Sequence, residues 1–418
     1  MSIPVLKTSE QNNLSRRNRI IARGLGLFIL GMTLLSVARI IAHTNDLTST
    51  STMAAAFGLA VPIGLAGLGG LWSERAGIVN IGLEGMMILG TFGAGWAGFQ
   101  WGPWAGVVAA IIFGGLGAFV FAVATITFGV DQIIAGTAIN ILGLGLTQFL
   151  AKQIFANAPG GGQSQSPPVK GLLPTITVDV IANPLKSLQQ QGWFLISDIA
   201  GLVSGFFYQL SILTVLTVIL FISTGWVLWR TAFGLRLRSA GENPWSAESL
   251  GVNVYRYKYT AVIISGCLSG LAGAYLAIVG TNVYRGGQTA GRGYIGLATM
   301  IFGNWKPSGT GVGALIFGYI DTLQLRDNAN IRGLVLFGSC VLLALGIYGL
   351  RKANRGSSVA YLILGCALLG GYLAGSHMPP EVAQVAPYVT TLLVLATAAQ
   401  RLRPPSADGV IYRRGESH

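Results

Sequence analysis

Long, continuously apolar runs separated by short polar or glycine-rich breaks recur along the whole chain. They fall near residues 20–42, 53–72, 79–99, 103–128, 132–155, 208–229, 258–279, 310–325, 333–350, 357–375 and 384–400, and most approach the ~20 residues a helix needs to cross a bilayer. A shorter apolar segment, 294–305, has the length of a half-helix. Because the runs are continuous, not alternating, they predict helices and not the strands of a barrel. The pattern predicts an all-α fold, a polytopic transmembrane helical bundle of about 10–12 segments.

Composition strengthens this reading. Of 418 residues 52% are hydrophobic and only 10% charged, with mean hydropathy +0.62, against about 25% charged in a soluble domain. The 60 glycines suit helices that approach closely in lipid. The net charge of +13 is concentrated in four groups: Lys7 with Arg16, Arg17 and Arg19; Arg230, Arg236, Arg238, Arg256 and Lys258; Arg351, Lys352 and Arg355; and Arg401, Arg403, Arg413 and Arg414. Assigning all four to the cytoplasm satisfies the positive-inside rule, so the basicity reports topology and not nucleic-acid binding. The domain boundaries that follow are a cytoplasmic tail at 1–19, a transmembrane domain at 20–400 and a cytoplasmic tail at 401–418. Within the transmembrane domain an external loop spans 156–207, with room for one short surface helix, and a cytoplasmic loop spans 230–257. The first run follows "RRNR" without a small-residue cleavage site and reads as a retained anchor. Cys267, Cys340 and Cys366 lie in apolar runs without ligand spacing, so neither a disulfide framework nor a metal or cofactor site is expected.

The chain repeats itself. "WGPWAGVVAAIIFG" (Trp101 to Gly114) aligns without gaps with "WKPSGTGVGALIFG" (Trp305 to Gly318), and upstream "IGLEGMM" matches "IGLATMI". Two related halves with broken or re-entrant helices are a transporter architecture, with the substrate path near the midplane. On that reading 294–305 and 310–325 form a down-and-up pair whose turn, "NWKPSG", lies inside the protein.

Chemistry-bearing residues are few. Neither a phosphate-cradling G-x-x-x-x-G-K-[ST] stretch nor H-E-x-x-H is present, and the histidines are His43, His377 and His418, so an enzyme is not expected. Glu74, Arg75, Asn80, Glu84, Asp131, Gln132, Asn140, Gln148 and Asp321 lie in or beside apolar runs, where an ionised group at helix centre costs about 2.5–3.5 kcal/mol. Asn80 and Glu84, four apart, share a face if both are helical, and Asn140 and Gln148 lie eight apart on roughly one stripe. These four are the candidate substrate-pathway residues. Glu84 divides evenly between a buried hydrogen-bonding anchor and a pathway residue, and Asn140 between helix packing and ligand contact. Glu84 corresponds to Ala298 in the second copy, so the shared helix geometry does not require it. Glu74 and Arg75 are read as charges that stabilise the turn presenting Glu84.

The basic loop "RTAFGLRLRSAGENPWSAESLGVNVYRYKY" contains a short helix that Asn243 caps, with Pro244 in its first turn and Gly251 after its end. Such a helix suits a membrane subunit that receives motion from a separate motor; an ordinary basic loop is the alternative. "RSAGENPWSAESLGVNVYRYKYTAVIISGCLSGLAGAYLA" resembles the coupling-loop region of the branched-chain amino acid, ribose and nucleoside permeases of bacterial ABC importers. "LGGLWSERAGIVNIGLEGMMILGTF", "DQIIAGTAINILGLGLTQFL" and "GRGYIGLATMIFGNWKPSG" resemble the family's other signatures, over about residues 55–325. The first of these, the segment "PYVTTLLVLA" (Pro387 to Ala396) and the tail "RPPSADGVIYRRG" are similar to the nucleoside-type members. The resemblance implies a permease subunit in the bacterial inner membrane that pairs with a second permease, binds ABC ATPase subunits and receives substrate from an external binding protein. It implies that Gly241, Glu242, Asn243, Pro244, Ala247, Glu248 and Gly251 form the helix that docks in the ATPase. The long Pro/Gly/Gln-rich external insertion and the extra length near Arg351 to Glu381 depart from the family pattern. The expected cargo is a nucleoside or a ribose-like sugar. A branched-chain amino acid permease, an ion-coupled secondary transporter and a membrane scaffold stand as alternatives.

Overall fold

The computed structural model describes residues 26, 29–42, 44–326, 328–351, 355–374 and 402–415. The tail 1–19, the start of the first apolar run, the run 384–400 with Pro387 to Ala396, and His43, His377 and His418 lie outside them. The elements in chain order are α1 (Ile29–Ala42), α2 (Thr50–Arg75), α3 (Leu83–Trp101), α4 (Pro103–Ala122), α5 (Gln132–Phe155), β1 (Thr175–Ile176), α6 (Asp179–Gln190), α7 (Ile196–Gly205), β2 (Leu210–Ser211) and α8 (Ile212–Arg230). There follow α9 (Ala232–Glu242), α10 (Pro244–Ser249), α11 (Val254–Ala274), α12 (Arg292–Phe302), α13 (Pro307–Arg326), α14 (Asn328–Arg351) and α15 (Arg355–Ala374). Helices α4 and α11 each continue into a π-helical segment, Val123–Thr127 and Tyr275–Gly280. Among the described residues six helices are long and apolar enough to cross a membrane: α2, α4, α5, α8, α11 and the Arg332–Leu350 part of α14. The fold is all-α, with β1 and β2 a single antiparallel pair of two residues each.

The chain divides into two units. One contains α1, α6, α7, α14 and α15; the other runs over Ala54–Thr177 and Gln209–Thr322 and includes the tail from 402. In the first, Asp198 of α7 is fully buried, accepts from Thr48 Oγ1 at 2.5 Å and pairs with Arg39 Nε at 3.2 Å. Two helices, α6 and α7, occupy the segment where the sequence pattern suggested one. Helix α7 buries its small and polar positions, Ser197, Asp198, Ala200, Gly201 and Ser204, and exposes Ile196 and Val203, so its burial does not follow an apolar stripe.

The second unit is organised by close backbone approach. Between α4 and α11, a Cβ on Gly114 would lie 2.6 Å from Gly270 Cα. With lipid as the competing solvent, association rests on packing and not on an apolar driving force, and small residues permit it. The repeat is visible in the helices: α3 meets α4 at Gly102 and Pro103, and α12 meets α13 at a tight turn before Pro307, each proline in the first turn of its helix. Side-chain caps set the other starts. Asp131 Oδ1 accepts from Ile133 N and Ile134 N at 2.9 and 3.0 Å, Thr231 from Gly234 N at 3.1 Å, and Asn253 from Arg256 N at 3.1 Å.

Gly114→Leu should therefore destabilise the assembled protein by about 1–3 kcal/mol or more, while Gly145→Leu, which has open space within 4 Å, leaves it unchanged. Thermal unfolding of the two variants in detergent checks this.

Candidate functional site

The segment joining α2 to α3 is folded on itself. Ser73 Oγ donates to Ile78 O at 2.6 Å, and Asn80 Oδ1 accepts from Gly82 N at 3.0 Å in an Asx turn. Asn80 thus precedes the helix, and the expected shared helical face with Glu84 does not form: the local side-chain bond holds the backbone out of helical geometry until Leu83. The Asn80 amide donates to Ser265 Oγ of α11 at 2.9 Å.

Glu84, in the first turn of α3, points its carboxylate at the start of α12. One oxygen accepts from Gly291 N at 3.0 Å and the other from Gly293 N at 2.7 Å. The N-terminus of a helix carries unpaired N–H groups and partial positive charge, and in an apolar setting those donors must be satisfied within the protein. Glu84 satisfies them, and Gly293 makes room for it: a Cβ there would lie 2.6 Å from Glu84 Cα. Arg292, the first residue of α12, pairs with Asp321 of α13 at 2.6 Å.

Asn140 of α5 uses its whole amide. Oδ1 accepts from Gly85 N at 2.7 Å, and Nδ2 donates to Ile81 O at 3.0 Å and to the Tyr294 hydroxyl at 2.9 Å. It therefore ties α5 to the start of α3 and to α12 beside Glu84. Gln148 is not part of this cluster. It is exposed on α5, on the face that also exposes Ile141, Leu142, Leu144 and Phe149, because eight residues at 3.6 per turn leave it about 80° from Asn140.

Glu74 and Arg75 end α2 and grip the opposite end of α12. Glu74 accepts from Trp305 Nε1 at 2.5 Å, while the Arg75 guanidinium donates twice to Trp305 O, at 3.0 and 2.7 Å, and stacks over Trp229 at 5.4 Å. Trp305 and Asn304 both sit at positive φ, 53° and 54°, in the turn between α12 and α13, a costly conformation outside glycine that the clamp holds. Trp305 is buried, whereas its counterpart in the repeat, Trp101, is 64% exposed; the alignment alone does not distinguish them. Ser265, Tyr294 and Trp305 were not among the sequence-derived candidates. Their only signal is the partner each supplies in space.

On the basic face, α10 begins at Pro244, with Asn243 Oδ1 accepting from Ser246 N at 2.9 Å, and Gly251 follows it at φ 82°. Ala247 is buried and Leu250 is 83% exposed. Gly241 and Glu242 close the preceding helix α9, which lies in the segment 230–257 expected to be a loop. Arg75 reaches Glu242 at 4.0 Å, so the α9 end adjoins the Trp305 clamp. Elsewhere in this unit, α2, α8 and α13 border a recess of about 660 Å³ lined by Phe57, Val61, Phe221, Trp229, Val312 and other mainly apolar residues. It holds none of the four pathway candidates.

Six apolar helices among the described residues, each long enough to cross a membrane, together with a short helix held by buried groups at both ends, have the architecture of a multi-pass membrane protein. Residues 52–345 match the family described as "Branched-chain amino acid transport system / permease component", and the chain belongs to that family. It is 34% identical over 319 residues to the guanosine ABC transporter permease protein NupQ of Bacillus subtilis, covering 72% of this chain and 93% of the relative. It is 32% identical over 363 residues to the nucleoside ABC transporter permease protein NupC of Lactococcus lactis, covering 84% and 93%. No solved structure matches the chain.

Replacing Glu84 with Leu leaves two buried N–H groups unpaired at about 1–3 kcal/mol each, whereas Gln retains an acceptor. Amide hydrogen exchange at Gly291 and Gly293 should accelerate strongly in Glu84→Leu and modestly in Glu84→Gln.

Proposed function

We propose that this chain is the membrane-spanning permease subunit of an ABC importer that carries a nucleoside by alternating access, driven by ATPase subunits bound at the face bearing α9 and α10. The observation that carries the substrate class is the Glu84 carboxylate on the N-terminus of α12. In transporters built from broken helices, such an end is where an anionic group of the substrate binds. Here an internal carboxylate already fills that place, which disfavours an amino acid and leaves uncharged hydrogen-bonding groups for a neutral, hydroxylated cargo. The nucleoside relatives support the same class.

In this reading Glu84, Asn80 and Asn140 position the broken helix at the path, and Gln148, on the exposed face of α5, faces a second permease subunit or the cargo. Glu74 and Arg75 link the far end of α12 to α9 through Trp305 and Glu242. Gly241, Glu242, Asn243, Pro244, Ala247, Glu248 and Gly251 form the structure that docks on the ATPase. Motion of α10 then reaches α12 through that clamp, and an external binding protein delivers the cargo. ATP hydrolysis belongs to the partner subunits.

Cells expressing the chain with its partner permease and ATPase should take up labelled guanosine with saturation, and leucine in excess should not compete. Competition by leucine would overturn the nucleoside assignment. Gly251→Arg forces a side chain into positive φ and should reduce substrate-stimulated ATP turnover at least ten-fold, measured on the purified complex, without loss of membrane insertion.

A further inference from the structure

The tail at 402–415 is not a trailing end. It crosses the basic face and is fastened along its length to several elements. Arg403 N donates to Asn304 Oδ1 at 2.8 Å, at the turn that closes α12. Ser406 donates from N and from Oγ to Glu242 Oε2 at 3.2 and 3.0 Å, and Ala407 N donates to Gly241 O at 3.0 Å. Gly409 lies against Val79, in the segment leading to α3, and Ile411 against Gly129, before α5. The Tyr412 ring packs against Trp245 of α10 and Tyr255 of α11, with centroids 6.0 and 5.3 Å away. Arg414 pairs with Glu248 of α10 at 2.9 Å.

Beneath this path lies a buried charge cluster. Lys258 is 1% exposed, and its ammonium has Gly77 O at 3.5 Å and the Tyr412 ring at 5.9 Å. The carboxylate whose charge acts on it comes from the tail, from Asp408. Burial pushes the Asp408 carboxyl up to about 6, with a hydrogen bond to Glu74 and the charges of Lys258 and Arg75 working the other way. A buried ammonium without a counter-charge is strongly unfavourable, and the carboxylate that offsets the Lys258 charge belongs to the tail. Burial and a hydrogen bond to Glu248 push the Tyr412 hydroxyl up as well.

We infer that residues 402–415 are a structural strap of the coupling apparatus, joining α9 and α10 to the turns before α3 and α5 and after α12, so that α10 cannot move without moving the elements that hold Glu84 and Asn140. The inference rests on the reading of α10 as the ATPase-docking helix. The strap takes up Oε2 of Glu242 and Oε1 of Glu248, so on the docking structure these two carboxylates also anchor the strap, while Leu250, 83% exposed, is open for contact with the ATPase.

The experiment uses the complete transporter with three changes to this chain: deletion of 402–418, Asp408→Lys, and Asp408→Lys combined with Lys258→Glu. The deletion should still insert and recover its ATPase, while the stimulation of ATP turnover by loaded binding protein, and uptake, fall at least ten-fold. Asp408→Lys places like charge beside Lys258 and Arg75, expels the strap and should reproduce that loss. The charge-reversed pair should regain at least a third of wild-type uptake. A deletion variant that transports within two-fold of wild type overturns the proposal. If the deletion fails to insert, a well-inserted Asp408→Lys variant with full coupling overturns it equally. Deleting Asn243 to Gly251 in parallel separates the two readings. If that variant remains coupled, the docking role of α10 is wrong; if it is uncoupled while the strap deletion transports normally, only the strap is wrong.

Discussion

A helix that starts and stops inside an apolar bundle leaves backbone donors at one end and acceptors at the other, and nothing but the protein can pair them. Helix α12 is that helix, and the stretch from Glu74 to Glu84 serves both of its ends. The Glu84 carboxylate takes the N–H groups of Gly291 and Gly293, and the Arg75 guanidinium takes the carbonyl of Trp305 in the turn beyond the C-terminus. The signs match the helix dipole: negative charge at the start, positive charge near the end. Eleven residues at about 1.5 Å each make α12 roughly 16 Å long, short enough for one connecting segment to reach both ends.

The remaining polar groups of the unit support this arrangement. Asn140 fixes α5 to the start of α3 and to Tyr294, and Asn80 orders the turn that delivers Glu84 while bonding Ser265 of α11. Asp131 caps its own helix, and Asp321 holds Arg292. Glu84, Asn80, Asn140 and Asp131 each bond backbone groups, whereas Gln148 lies on its exposed face. A carboxylate committed to a helix end is not free to bind an amine or to cycle protons, which separates this architecture from an ion-coupled carrier built on Glu84 and Asp131.

Much of this was legible in the chain. The apolar runs mark α2, α4, α5, α8 and α11 closely, because continuous apolarity over some 20 residues has few other meanings. Asn243, Pro244 and Gly251 mark α10, because cap chemistry is local. The short helix 294–305 and its turn were visible through the repeat. What was not legible is which residues meet. Asn80 and Glu84 look like helical neighbours at a spacing of four, yet an Asx turn separates them, and Gln148 looks like a companion of Asn140 until the helix is wound.

Composition and spacings within a few turns are enough to read the solvent, the long apolar helices, the repeat and the family resemblance from the chain. What the buried charges are for depends on packing between distant segments, which local spacing does not show. Glu84 meets Gly291 across 207 residues and Glu74 meets Trp305 across 231. Asp408, within the strap, acts by its charge on Lys258, 150 residues away in the chain. A charge in an apolar run signals that a partner exists, because leaving it unpaired costs too much, but the partner's identity depends on which helices pack together, and glycine contacts between backbones carry no such label.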